Sequence, residues 1–211
     1  MKFQEFMNEN YPELELKPPL FYNWDIGIRF ALGEEEEFDC PNNLYAFNCY
    51  KRAFALFESL HSPEEELFIV MDVNDFDKGR KLKHQLRNFP SYVSRPILYR
   101  LKHTVLPYLF PDEDEEGLYK THRFTLACKT FEIKYVPLLK AICNQDLALN
   151  PKLFHRVYFI NTNRKTVFHV YDDRGCDLLA TSPDSIWNVY KRCNEWILDY
   201  DRPAIDQMFN K

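Results

Sequence analysis

From Leu44 to Leu60 the apolar positions Ala46, Phe47, Tyr50, Ala53, Phe54, Phe57 and Leu60 recur at intervals of three and four. That spacing draws one stripe along a helix and predicts a long amphipathic helix facing a core. His61, Ser62 and Pro63 mark its end. Leu67 to Val73 is a short, nearly continuous run of β-formers, which predicts a buried strand. Ile26 to Leu32 alternates and follows Pro18, Pro19 and Trp24, so it reads as a strand entered from extended chain. Further strands are predicted over 123–128, 156–160, 166–171 and 177–180, and a helix over 134–143. Ser182 as a cap and Pro183 at the first position predict a helix over 182–198, with Ile186, Tyr190, Cys193 and Ile197 as its buried stripe. A short helix near 203–209 closes the chain. Lys78 to Phe89 reads as a surface helix, Leu82, Leu86 and Phe89 on one face, Arg80, Lys83, His84 and Arg87 on the other. Ile97 to Leu106 fits either a helix begun at Pro96 or a strand.

These elements predict one α+β domain over residues 1–211: a mixed or mainly antiparallel sheet, its amphipathic helices packed mostly on one face because each has a single apolar stripe. Arg29-Phe30-x-Leu32 and Arg123-Phe124-x-Leu126 each precede a helix and then a strand. Two strand-helix-strand units, 26–73 and 123–160, thus look faintly alike, although the shared letters are too few to require duplication. Only five glycines occur in 211 residues, which argues against glycine-rich phosphate loops and many tight hairpins.

Charge changes the picture more than composition does. The net charge is -5, but from Lys78 to Lys102 there are basic residues and no Asp or Glu, so the acidic side chains all lie elsewhere. They concentrate in Glu34, Glu35, Glu36, Glu37 and Asp39, in Glu64 to Glu66, and in Asp112, Glu113, Asp114, Glu115 and Glu116. No apolar run approaches the roughly 18 residues of a membrane span. The N-terminus also lacks the basic-then-apolar order of a secretory signal, so the expected location is the cytoplasm and no membrane partner is expected. Six cysteines without a C-x-x-C pair read as reduced, mostly buried thiols.

The candidate chemistry is sparse. The six histidines form no H-x-H or H-E-x-x-H pattern. Asp72, Asp75 and Asp77 lack the glycine and distal glutamate of a calcium loop and read as a solvated strand end. Neither a G-x-S-x-G elbow nor a Walker-type loop is present, and no cysteine is marked as a nucleophile. No catalytic residue, metal, cofactor or small-molecule substrate is therefore assigned. Val167 to Asp177 reads as a β-hairpin, with Gly175 free to take a positive φ. As an exposed tip its Asp172, Asp173 and Arg174 could meet a charged partner. Arg80, Lys81, Lys83 and Arg87, with Phe89, Tyr92 and Tyr99 interleaved, could track a phosphate backbone. The alternative is that the acidic loops neutralise them internally.

The words Pro18-Pro19-Leu20-Phe21-Tyr22-Asn23-Trp24-Asp25-Ile26-Gly27-Ile28-Arg29-Phe30, Tyr158-Phe-Ile-Asn161, His169-Val-Tyr171-Asp172-Asp173-Arg174-Gly175-Cys176-Asp177 and Trp196-Ile-Leu-Asp199-Tyr200-Asp201-Arg202 resemble a bacterial family, the domain of unknown function numbered 3885. The likeness spans nearly the whole chain, with little from 78–116, and implies a bacterial cytoplasmic protein without catalytic residues to carry over. The expected function is a non-enzymatic interaction protein, an immunity protein whose carboxylates block a basic toxin domain. The alternatives are a nucleic-acid-associated protein using 78–102, and a hydrolase without a recognisable motif.

Overall fold

The computed structural model describes residues 2–33, 44–76 and 86–210, the side chains of 86–88 excepted. Seven strands form one sheet: β1 (Gly27–Ala31), β2 (Glu66–Asp75), β3 (Lys102–Pro107), β4 (Lys120–Lys129), β5 (Arg156–Asn161), β6 (Thr166–Val170) and β7 (Gly175–Ala180). Their order is β1-β7-β6-β5-β2-β4-β3, and every neighbouring pair is antiparallel. The fold class is α+β, as the periodicities predict. The three C-terminal strands pair within this sheet, joined by short connections.

β2 lies between β4 and β5. That position explains its unbroken apolar sequence, since a central strand is covered on both faces. Leu67, Ile69, Met71 and Val73 enter the larger core, while Phe68 and Val70 enter the smaller one, as a period of two requires. The larger core is roofed by α2 (Leu44–Leu60) and α3 (Tyr135–Cys143), which pack against each other. α2 buries Ala46, Cys49, Ala53, Leu56, Phe57 and Leu60, close to the predicted stripe, although Phe47 is exposed. α2 carries the chain from β1 past β7, β6 and β5 to β2, whereas α3 links β4 to β5 across β2 alone. The two strand-helix-strand units therefore span different numbers of strands.

The opposite face is covered by the N-terminal segment. A helix unforeseen in the sequence, α1 (Phe3–Asn10), puts Phe6 and Met7 with Tyr11, Leu16 and Leu20 against Phe68, Val70, Tyr158, Ile160, Val167 and Leu179.

The predicted helix over 182–198 is a correction. Pro183 heads a 3-10 turn, only Trp187–Arg192 (α4) is α-helical, and a second 3-10 turn covers Asn194–Trp196. The predicted stripe residues Ile186, Cys193 and Ile197 are nonetheless buried. The cause of the break is tertiary: Ile197 bridges to Phe30, and the Leu198 amide donates to the Arg29 carbonyl at 3.3 Å, so the chain leaves the helix to cover the open edge of β1. Arg202, at the start of α5 (Arg202–Phe209), holds the freed carbonyls of Asn194 and Ile197 at 3.1 and 3.0 Å. Over 97–106 the strand alternative holds from Lys102 as β3, preceded by a 3-10 turn at Arg95–Arg100 in place of a helix begun at Pro96. The predicted helix over 78–89 lies largely outside the described residues, and its last part belongs to a 3-10 turn, Leu86–Ser91.

Candidate functional site

Apolar strands interrupted by single polar residues build the site. Arg29 on β1 stands directly opposite Asp177 on β7, which stands opposite His169 on β6. Register places all three in one row across the face that the N-terminal segment covers. Phe6, Leu16 and their neighbours seal one end of that face. At the other end lies a cleft of about 630 Å³, walled by Pro18, Pro19, Arg29, Gln145, Phe154, His155, Arg156, His169, Tyr171, Asp172, Arg174, Asp177 and Leu198.

Asp177 anchors the covering segment. Its Oδ2 accepts the backbone N–H groups of Leu20 and Phe21 at 3.1 and 3.3 Å, just after the cis Pro18-Pro19 bond. Burial raises its carboxyl to about 6, against the lowering effect of those amides and of Arg29. Arg29 Nε lies 3.8 Å from Asp177 Oδ1, and its Nη1 lies 3.5 Å from Asp201 Oδ2. The guanidinium sits beside the rings of Tyr22 and Tyr171 and donates to both hydroxyls, at 3.0 and 3.4 Å. Tyr22 in turn donates to Asp201 Oδ1 at 2.9 Å. One guanidinium thus serves two buried carboxylates.

His169 is buried, and its Nδ1 lies 2.9 Å from the Val157 carbonyl. A carbonyl only accepts, so Nδ1 carries the proton and Nε2 presents a lone pair. Burial lowers this imidazole to about 4, so it is neutral at pH 7. Beyond it the sign of charge reverses. Asp72 on β2 stands in register between Arg123 on β4 and Arg156 on β5. Arg123 binds both oxygens of Asp72, at 2.8 and 2.6 Å. Arg156 donates Nη2 to Asn74 at 2.6 Å, and its guanidinium lies over Phe110. His169 Nε2, Asp177 Oδ1 and Arg156 Nε are all buried without a hydrogen-bond partner among the described residues.

The hairpin β6-β7 forms as predicted, but two expectations about it are corrected. Asp172, Asp173 and Asp177 are buried rather than exposed. Asp172 accepts the Arg174 amide and guanidinium, and Asp173 accepts the Tyr45 hydroxyl at 2.8 Å. Only Arg174 stays exposed, on the cleft wall, with Asp146 at 3.9 Å. Gly175 has no positive φ. It is needed because β1 approaches closely: a Cβ there would lie 2.6 Å from the Phe30 carbonyl oxygen.

The other candidates are not brought to the cleft. Asp112, Glu113, Asp114, Glu115 and Glu116 form a surface turn, in which Asp114 accepts the amides of Leu118 and Tyr119 and Glu113 accepts the Tyr108 hydroxyl. Glu34 to Glu37, Asp77, and the side chains of Arg80, Lys81, Lys83 and Arg87 lie outside the described residues. Of the basic segment that is described, Arg100 meets Glu132 at 3.5 Å. Asp72 and Asp75 are buried, not solvated: Arg123 pairs with Asp72 at 2.6 Å, and His122 Nε2 lies 3.5 Å from Asp75.

A second cluster was also illegible, because its histidines are 19 residues apart: His103 Nε2 and His122 Nδ1 meet at 2.8 Å on β3 and β4. Among the described residues no three His, Cys, Asp or Glu side chains are grouped to hold a metal ion. Cys49, Cys128, Cys143, Cys176 and Cys193 are buried free thiols. Burial pushes Cys49 and Cys128 up to about 12, far from a reactive thiolate. Cys40 lies outside the described residues. No described helix is long and apolar enough to cross a membrane.

Sequence reasoning named Asp172 and Arg174 but missed Arg29, Arg156, His169 and Asp177 as site residues. Their signal was a lone polar side chain in each strand, readable as two adjacent rows, Arg29-Asp177-His169 and Asp72-Arg156, only once the register is known.

A family model described as a domain of unknown function, DUF3885, matches residues 3–201. The chain is 28% identical over 206 residues to the uncharacterized protein YnaE of Bacillus subtilis strain 168, covering 92% of this chain and 96% of that one. No solved structure matches.

Proposed function

The chain belongs to the DUF3885 family, and we propose that it is a non-enzymatic binding protein that takes a polar ligand into the cleft between Arg29 and Arg156. One observation carries this reading: three buried polar atoms on the cleft residues, His169 Nε2, Asp177 Oδ1 and Arg156 Nε, have no hydrogen-bond partner among the described residues. Each such atom costs about 1–3 kcal/mol unless a ligand or water satisfies it. A concave site with a few convergent polar groups is the usual form of a small-molecule pocket. Binding is favoured over turnover because an imidazole held at about 4 is a weak general base at neutral pH, where a value near 7 serves best.

Native mass spectrometry of the full chain after exposure to a small-molecule cell extract tests the reading. The expected result is a bound mass that is lost when Gln145→Trp or Leu198→Trp fills the cleft, with the circular dichroism of the fold retained. A wild-type protein that emerges without any adduct overturns it.

A second reading is favoured by the surface turn. Asp112, Glu115 and Glu116 are exposed on a turn fixed by Asp114. Such carboxylates steer association with a basic partner, which fits an immunity protein that covers a toxin domain. Co-purification with the product of a neighbouring gene is then expected. Reversing the three charges should slow association and flatten its salt dependence. Binding unchanged by the reversal excludes the turn as the interface.

A further inference from the structure

Resting on the reading of the cleft as the binding site, we propose that its ligand is a small zwitterion of amino-acid or dipeptide size, with an ammonium group and a carboxylate on one molecule. The cleft is electrically two-ended. On the β7 side, Arg29 stands between the buried carboxylates of Asp177 and Asp201, so two negative charges face one positive. Asp177 Oδ1 accepts no hydrogen bond there, Arg29 Nε staying 3.8 Å away, and His169, one strand over and in register, adds Nε2 as a second acceptor without a hydrogen-bond donor. Two bare acceptors backed by uncompensated negative charge suit a cationic group with several N–H donors, which an ammonium supplies.

On the β5 side the count is inverted. Asp72 stands between Arg123 and Arg156, and Arg123 takes both of its oxygens. Arg156 is left with the neutral Asn74 and the Phe110 ring as its partners, and its buried Nε has no acceptor. A carboxylate oxygen matches that donor. Arg174 is less available, since Asp172 already holds its guanidinium.

The two ends lie on strands two apart and two residues out of register, a backbone separation of about 12 Å at the usual spacing. A simple amine would leave Arg156 Nε unmatched. A simple anion would meet Asp177 with like charge. A molecule carrying both groups satisfies both ends at once.

Ligand-observed NMR and calorimetry on the full chain test this, with the standard free amino acids and with glycyl dipeptides as separate arms that distinguish the two sources. The strongest binder is then measured again as its N-acetyl form and as its methyl ester. Each derivative is expected to bind about tenfold to a hundredfold more weakly, the loss of one charge-assisted contact. Asp177→Asn should erase the preference for free amine over N-acetyl and keep that for acid over ester, and Arg156→Gln should do the converse. The derivative comparison uses the wild-type chain, so a variant that fails to fold does not decide the matter. Derivatives that bind as well as the parent overturn the proposal. So does the absence of amino-acid and dipeptide binding. In that case an extract adduct lost on Gln145→Trp leaves the cleft reading standing without the zwitterion, and no adduct removes both.

Discussion

Arg29 is the residue on which the site turns, because it is the cation that stands against both Asp177 and Asp201. Arg29→Ala leaves two buried carboxylates uncompensated, and urea unfolding at pH 7 should show a loss of about 3–5 kcal/mol. A loss below 1 kcal/mol would mean that solvent reaches the pair. Acid should act on His61 and His169, both lowered to about 4 by burial. The folded state then binds fewer protons than the unfolded chain between about 4 and 6.5. Their stabilisation is full above pH 6.5 and is lost as pH falls toward 4. Asp177 works in the opposite sense: raised from 3.8 to about 6, it contributes most below 3.8 and that contribution is gone above 6. His169→Gln isolates one of these contributions. Between pH 7 and pH 4 the wild type should lose about 3 kcal/mol more than the variant, and equal losses would show that His169 is not held neutral by burial. None of these roles is visible residue by residue in the sequence, where Arg29, His169 and Asp177 are isolated polar letters in apolar words.

At the scale of elements, legibility followed how much of each element's pattern came from its own packing. α2 and β2 were readable because a 17-residue helix with one buried stripe and a central strand buried on both faces leave strong periodic signatures. α1 spans only eight residues, too few for its two buried positions to stand out. The stretch 182–198 carries a helical stripe, yet pairing with the edge of β1 overrides it beyond Arg192. Phe57 shows what α2 contributes: it is 1% exposed, and its ring lies 4.6 Å from that of Tyr135 and 5.2 Å from that of Phe159. Phe57→Ala should cost about 3–5 kcal/mol in chemical denaturation. A cost under 1 kcal/mol would show that α2 closes over the gap or is not seated on the sheet.

Across the whole molecule, one sheet separates two different coverings. Helices seal the larger core on one face, and on the other the N-terminal segment seals only part, leaving the row Arg29-Asp177-His169 and the adjacent Arg156 at the cleft. The stretches Pro18 to Phe30 and His169 to Asp177 converge on this cleft from opposite ends of the chain, with Asp201 held by Arg29. Sequence alone could identify the words but not their meeting, because strand order places β1 beside β7 and only the sheet brings them together. The bipolar charge layout was legible as a count. Its acidic turn at Asp112 to Glu116 is on the surface, but the buried ionic pattern of the cleft depends on register rather than on charge runs. The most direct measurement of the central claim is the imidazole 15N spectrum of the full chain at pH 7, before and after addition of the extract or its purified ligand. The account predicts His169 as the Nδ1–H tautomer with an unprotonated Nε2 whose resonance moves on binding, while that of His61 stays fixed. A protonated His169 Nε2, or an Nε2 resonance unmoved by a ligand that binds the protein, would contradict it.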